Sequence, residues 1–251
     1  MLDIGCAEYL PSPVRYIGYT VNSRENSPQI IFVTGFIMKI HHLYNKLLLP
    51  FRQKRMMRFM RTFTFSAETK ILDIGGTPYN WHLVNCPAQI TLLNLNIPNP
   101  LPELPANITC VHGDGMKLHF SDNSFDIVFS NSVIEHLFSF KNQEKFSSEI
   151  RRVGKQIWVQ TPARTFFFEP HFLTPFFHYL PKKLQTKLAR NFTVWGWITR
   201  PTDDYVKNMV QEINLLAFSE FQELFSDCFI QKEMFFGMTK AFIAIRKMNE
   251  N

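Results

Sequence analysis

Cysteine is scarce and scattered in this chain. Cys6, Cys86, Cys110 and Cys228 each stand alone, without the close pairs of a metal knuckle or the density of a disulfide framework. That excludes a cysteine-based zinc site and a stapled secreted scaffold, and a reducing, cytoplasmic location is expected. No metal centre is expected. Long apolar runs are missing too. The longest near the amino end, residues 30–38, contains Thr34 and Gly35 and falls far short of the roughly 20 residues that cross a bilayer. Asp3 and Glu8 stand where a secretory leader would be basic, so no signal peptide is expected. Charge of one sign does not dominate either. Lys plus Arg exceed Asp plus Glu by 27 to 21, a formal +6, and the excess sits largely in residues 46–61 without long like-charge runs, which does not imply nucleic acid.

At 251 residues the chain has the length of one sizeable domain, or at most two. Residues 1–37 stand apart as an N-terminal extension of open origin. Their Leu2-Asp3-Ile4-Gly5-Cys6 and Tyr16-Ile17-Gly18-Tyr19 echo a strand and turn met again later. Chance similarity, a remnant of a fused domain and an upstream segment before a start at Met38 all fit. No chemistry is assigned to them. From Met38 the pattern turns helical, with His41, Tyr44, Leu48, Phe51, Met56, Phe59 and Met60 among Lys46, Arg52, Lys54, Arg55, Arg58 and Arg61. Pro50 is expected to break or kink this helix. It reads either as a core helix with a solvated charged face or as a basic amphipathic helix lying on an anionic membrane surface.

Beyond it the pattern alternates as in a protein built on a parallel sheet. Strands are expected at 70–74, 89–95, 108–112, 125–130 and 156–160, with helices at 81–84 and 141–153. A Phe-rich stretch over 165–181 follows, then helices at 182–190 and 203–217, the latter capped by Thr202. The tail reads as a short helix at 218–225 and two strands, 229–234 and 240–246, joined around Gly237.

Two blocks carry chemistry. Ile71-Leu72-Asp73-Ile74-Gly75-Gly76 is a buried strand running into a glycine turn, where backbone without a Cβ can approach a ligand closely. Residues 122–137 contain a second apolar strand, Phe125-Asp126-Ile127-Val128-Phe129, ending in small polar residues. In open α/β sheets the carboxyl ends of such strands hold the ligand, and the two blocks together point to a nucleotide cofactor. Gly75-Gly76-Thr77-Pro78-Tyr79-Asn80 lacks the Gly-x-Gly-x-x-Gly spacing that seats a pyrophosphate, which disfavours a nicotinamide-dependent oxidoreductase.

In these blocks the chain resembles the class I S-adenosylmethionine (SAM) dependent methyltransferases, in particular their type 11 small-molecule branch. Leu72-Asp73-Ile74-Gly75-Gly76, Thr91-Leu92-Leu93-Asn94, Gly113-Asp114-Gly115 and Phe125-Asp126-Ile127-Val128 appear in that family's order, followed by its Glu135-His136 pair. The resemblance runs from about Leu43 to Arg246. It implies a Rossmann-like α/β fold: a mostly parallel seven-stranded sheet, an antiparallel carboxyl-terminal hairpin and helices on both faces, with the methyltransferase domain over 38–251.

Site residues follow from the same resemblance. Asp73, Gly75, Gly76 and Thr77 would meet the amino acid end of SAM. Asn94 would face the ribose, Asp114, Gly115 and Met116 the adenine, and Ser130 and Asn131 the methionine part. Two positions depart from the pattern: Thr77-Pro78 stiffens the glycine turn, and Asn94 replaces the usual acidic residue. They keep open a non-catalytic SAM-binding or interaction protein of the same fold.

The acceptor side is less marked. Ser130-Asn131-Ser132-Val133 is not the Pro-Pro-aromatic signature of base-amino methylation, so nucleic acid is disfavoured as substrate. His136, Glu169 and His171 are the candidate catalytic groups, with structural roles as their alternatives. Phe166, Phe167, Phe168, Phe172, Phe176 and Phe177 follow the fifth strand, where this fold commonly inserts a lid. A small or lipid- or glycan-linked acceptor is expected, and the membrane-surface reading of 46–61 would add peripheral membrane contact.

Overall fold

The computed structural model describes residues 49–97 and 103–248. Residues 1–37, and the expected helical stretch from Met38 up to residue 48, lie outside them. Seven strands form one sheet in the order β3-β2-β1-β4-β5-β9-β8. They are β1 (Lys70–Ile74), β2 (Gln89–Asn94), β3 (Ile108–His112), β4 (Phe125–Asn131), β5 (Gly154–Pro162), β8 (Phe229–Phe235) and β9 (Met238–Arg246). Strands β1 to β5 run parallel; β9 lies antiparallel to both β5 and β8. The central strands are covered on both faces, which is why they read as nearly continuous apolar runs.

Helix α1 (49–62) covers one face. Its Met56 and Phe59, with Phe63 just beyond, are buried against Ile71, Phe129 and Trp158. Phe59 anchors the layer, with ring centroids 4.9 Å from Phe129 and 5.6 Å from Trp158. Burying such a ring stabilises by about 1.5–3 kcal/mol. Outward it presents Gln53, Lys54, Met57 and Arg61. Pro50 is the second residue of the described part of this helix. On the other face α3 (Phe140–Val153) and α7 (Phe218–Leu224) pack Phe146, Ile150, Phe221 and Leu224 onto Leu72, Val128 and Ile157.

Between β5 and α7 the chain builds a lid with its own small core. The lid holds a two-stranded β6 (Phe168–Glu169) and β7 (Thr174–Pro175), then α4 (Lys182–Phe192), α5 (Val194–Thr199) and α6 (Asp203–Glu212). Phe172, Phe177, Ala189, Trp195, Val206 and Val210 are buried together there.

Local chemistry accounts for the differences from the sequence expectations. The short α2 spans Pro78–Trp81 rather than 81–84, because Pro78 has its φ preset for a first helical turn. Helix α6 has the expected Thr202 cap on Tyr205 N–H but stops at Glu212, not 217. Past that point Asn214 N–H donates to Glu135 O at 2.6 Å, and Leu216 bridges Ala163, so the backbone serves the sheet instead of continuing the helix. Helix α5, not expected, is capped by Thr193 on Gly196 N–H. The β8–β9 hairpin turns through Phe236 at φ 45° and Gly237 at φ 76°, the left-handed pair that a tight hairpin requires.

Candidate functional site

A cavity of about 560 Å³ opens at the carboxyl ends of β1, β2 and β4, between α1 and the lid, within the usual range for a small-molecule site. Its floor is the glycine turn after β1. Gly75 has φ +72° and a Cβ there would lie 2.5 Å from Val133 Cγ2, so the turn admits only glycine without rearrangement. At Gly76 a Cβ would lie 1.8 Å from Asp73 Oδ2. Asp73 therefore sits underneath the turn, fully buried, on the α1 side of the sheet. Its Oδ2 accepts from Trp81 Nε1 at 2.8 Å, while its Oδ1 has no hydrogen-bond partner. Burial pushes its carboxyl up to about 7, against the pull of the Trp81 N–H.

Asn94 closes the end of β2. Its Nδ2 donates to Gly76 O at 2.9 Å, a bond that a carboxylate could not make. This gives the unexpected amide a structural reason. Across the cavity Asp114 Oδ1 accepts from Met116 N–H at 2.8 Å, fixing a tight turn around Gly115. A Cβ on Gly115 would meet Phe146 Cε2 at 2.6 Å and Ile74 Cγ2 at 2.9 Å.

Helix α1 forms part of the rim through Phe51, Arg52 and Arg55. Arg55 donates to Asn131 Oδ1 at 2.8 Å and pairs with Glu233 on β8 at 3.2 Å. Burial works against ionising Glu233, but Arg55 and Lys240 hold its carboxyl below the usual range.

A polar cluster closes the lid end. His136, in the short 3-10 turn after β4, has its Nε2 3.1 Å from Nε2 of His171 in the lid. The Nδ1 of His171 lies 2.6 Å from Glu169 Oε1, and Glu169 Oε2 accepts from Phe172 N–H at 2.6 Å. Burial opposes charge at both groups, yet each favours the other: Glu169 is held below the usual carboxylate range and His171 above the usual imidazole range. His136 Nδ1 is 3.1 Å from Glu212 Oε1, close enough for an ion pair though outside hydrogen-bond geometry. Glu135 is fully buried. Its Oε2 accepts from Thr161 Oγ1 at 3.0 Å and its Oε1 has no hydrogen-bond partner.

Of the residues singled out from the sequence, Gly75, Thr77, Asn94, Asp114, Gly115 and Met116 face the cavity, as do Asn131, His136 and His171. Asp73, Gly76, Ser130 and Glu169 do not; they stand directly behind its wall. The Asp73 side chain lies on the Trp81 side of β1, as strand alternation from Leu72 and Ile74 requires. Ser130 ties β4 to β1 through Ile74 O at 3.1 Å. Sequence reasoning missed Glu212 and Arg55 as site residues, because only the lid's return path and the α1–β8 contact bring them in. The Phe cluster divides: Phe166 and Phe168 line the cavity, Phe172 and Phe177 build the lid core, and Phe176 is exposed.

A doubly covered, mostly parallel sheet with a cavity at its switch point is the arrangement in which open α/β proteins hold a ligand. A family model described as a methyltransferase domain matches residues 83–156, from the end of α2 into β5. A class I SAM-dependent methyltransferase domain is thus detected over these residues, which supports SAM as the cofactor. No curated protein matches the sequence. Among solved structures the chain is similar to a SAM-dependent methyltransferase from Methanosarcina mazei, at 14% identity over 72% of this chain and 92% of that one, TM-score 0.41. It is also similar to a putative O-methyltransferase from Nostoc punctiforme, at 14% identity over 91% of this chain, TM-score 0.49, and spans 65% of that protein's length.

The residues present suit SAM. Bare backbone at Gly75 and Gly115 allows close approach, Asn94 stands beside the turn, and Asp114 with Met116 offers a carboxylate next to an apolar cover. SAM supplies a methyl group on an activated sulfonium. The protein's task is to hold the acceptor in line and to exclude water.

Proposed function

We propose that this methyltransferase acts on a small acceptor with an apolar body and a hydroxyl or amine, free or carried on a lipid. SAM lies along the glycine turn, Asn94 and Asp114; the acceptor enters between the lid and α1. The observation that carries this reading is the mixed lining of one cavity: bare backbone at the glycine turn and Asp114, the apolar Phe51, Phe166, Phe168 and Leu215, and the His136–His171 pair. The aromatic walls remove the acceptor's body from water, and the polar cluster fixes its nucleophilic atom.

The test is calorimetric titration of the full-length protein with SAM and S-adenosylhomocysteine. A radiolabelled methyl-transfer screen would follow, covering phenols, long-chain alcohols, amines and sugars. Micromolar cofactor binding and labelling of amphiphilic hydroxyl or amine acceptors are expected. Failure of a folded protein to bind SAM, or labelling confined to sugars, overturns the proposal.

A further inference from the structure

The polar cluster at the lid end is built from donors that lack a common proton. His171 presents Nδ1 to Glu169 and His136 presents Nδ1 to Glu212. With the Nδ1 of His171 holding its proton toward Glu169, its Nε2 turns a lone pair toward the Nε2 of His136 at 3.1 Å. Glu135, buried and next to His136 in the chain, keeps an Oε1 without a hydrogen-bond partner. One ligand atom from each of Glu135, His136 and His171 lies within 4.8 Å of the other two. A proton shared between the rings would reconcile the two nitrogens but leave the Glu135 oxygen bare. A cation would serve all three.

We propose that Glu135, His136 and His171 bind one divalent transition cation, which holds the nucleophilic atom of the acceptor; the second clause rests on the functional reading above. Two imidazole nitrogens and one carboxylate select a zinc-like ion over magnesium or calcium, which prefer all-oxygen shells. Glu169 orients the His171 ring as an outer-shell partner does in metal sites, and Thr161 performs that service for Glu135. Three protein ligands leave a coordination position open, and all three line the cavity. A hydroxyl held there loses its proton to water at a lower pH than a free one, which explains how this pocket handles a weakly acidic acceptor. Glu135 and His136 come from the turn after β4, but His171 lies 35 residues further on in the lid, so cation binding also fastens the lid to the sheet.

Full-length protein stripped with EDTA would be titrated calorimetrically with Zn2+ and, separately, Mg2+, with SAM titrated into the same stripped preparation. Stoichiometric Zn2+ binding much tighter than Mg2+ is expected. Zn2+ affinity should fall by more than roughly 100-fold in His171→Ala and by roughly 10–100-fold in Glu169→Ala. X-ray absorption at the zinc edge on the unmodified protein should show two imidazole ligands, which decides the matter should a variant not fold. Absence of Zn2+ binding, unchanged affinity in folded His171→Ala, or a shell without imidazole overturns the site. SAM binding without metal binding removes this inference alone; metal binding without SAM binding removes the functional reading and leaves the site standing.

Discussion

Trp81 Nε1 donates to Asp73 Oδ2 at 2.8 Å beneath the turn that carries Gly75 and Gly76. An indole held eight residues further along the chain is thus the visible partner of the strand-end carboxylate. The other oxygen, Oδ1, is buried and bare. Asp73 therefore shapes the cofactor turn from behind, and its charge carries a stability cost.

That cost depends on pH. The Asp73 carboxyl is raised from 3.8 to about 7, so the folded chain holds this proton more tightly than the unfolded one. Its contribution is complete below the unfolded value and is lost as pH rises through about 7, by about 4 kcal/mol across the window. Asp73→Asn, which still accepts from Trp81, should flatten this dependence and raise stability above pH 7. Urea denaturation of both proteins between pH 5 and 8 checks it; parallel curves would show that Asp73 does not titrate there.

Gly76→Ala places a methyl group 1.8 Å from Asp73 Oδ2. The carboxylate must leave Trp81 or the turn must move, costing about 1–3 kcal/mol as overpacked sites do. Chemical denaturation should show that loss, and calorimetry should show SAM affinity falling with it. In Gly76→Ala/Asp73→Ser the smaller side chain removes the clash, so part of the stability should return. No recovery would mean the clash is with something other than the carboxylate.

Asn94→Asp restores the acid common in this fold, yet the prediction is a loss. The amide donates to Gly76 O, and a carboxylate facing that carbonyl would leave two acceptors opposed in a buried corner, at about 1–3 kcal/mol. A lower thermal midpoint without a gain in SAM affinity is the expected result. An affinity gain at unchanged stability would mean the amide's bond to the turn has no structural weight.

Much of this architecture was legible in the chain. Strands β1 and β4 are buried on both faces, so Lys70–Ile74 and Phe125–Asn131 announce themselves as apolar runs, and a strand running into Gly75-Gly76 marks the ligand turn. What pattern could not supply was convergence across the lid. His136 and His171 are each visible as candidates, but their meeting depends on how β6, α4 and α6 fold back. Glu212 closes on His136 only because α6 ends where the chain must return to Glu135 and Ala163. Side-chain partners were also hidden: nothing in the pattern of residues 71–76 announces that Asp73 meets the Trp81 indole.

Phe168 offers the cleanest test of the acceptor wall. It lines the cavity from β6 and is half-buried, and Phe167 is its one described aromatic neighbour, at 6.4 Å, so truncation removes wall without emptying a core. Phe168→Ala should leave SAM affinity unchanged and reduce kcat/KM for an apolar acceptor by roughly 10-fold or more, the equivalent of about 1.5–3 kcal/mol of lost burial. The loss should shrink as the acceptor becomes smaller and more polar, because less of its surface then lies against the ring. Initial-rate kinetics over a graded acceptor series would reveal that trend, and an equal loss for every acceptor would place Phe168 in lid stability instead of recognition.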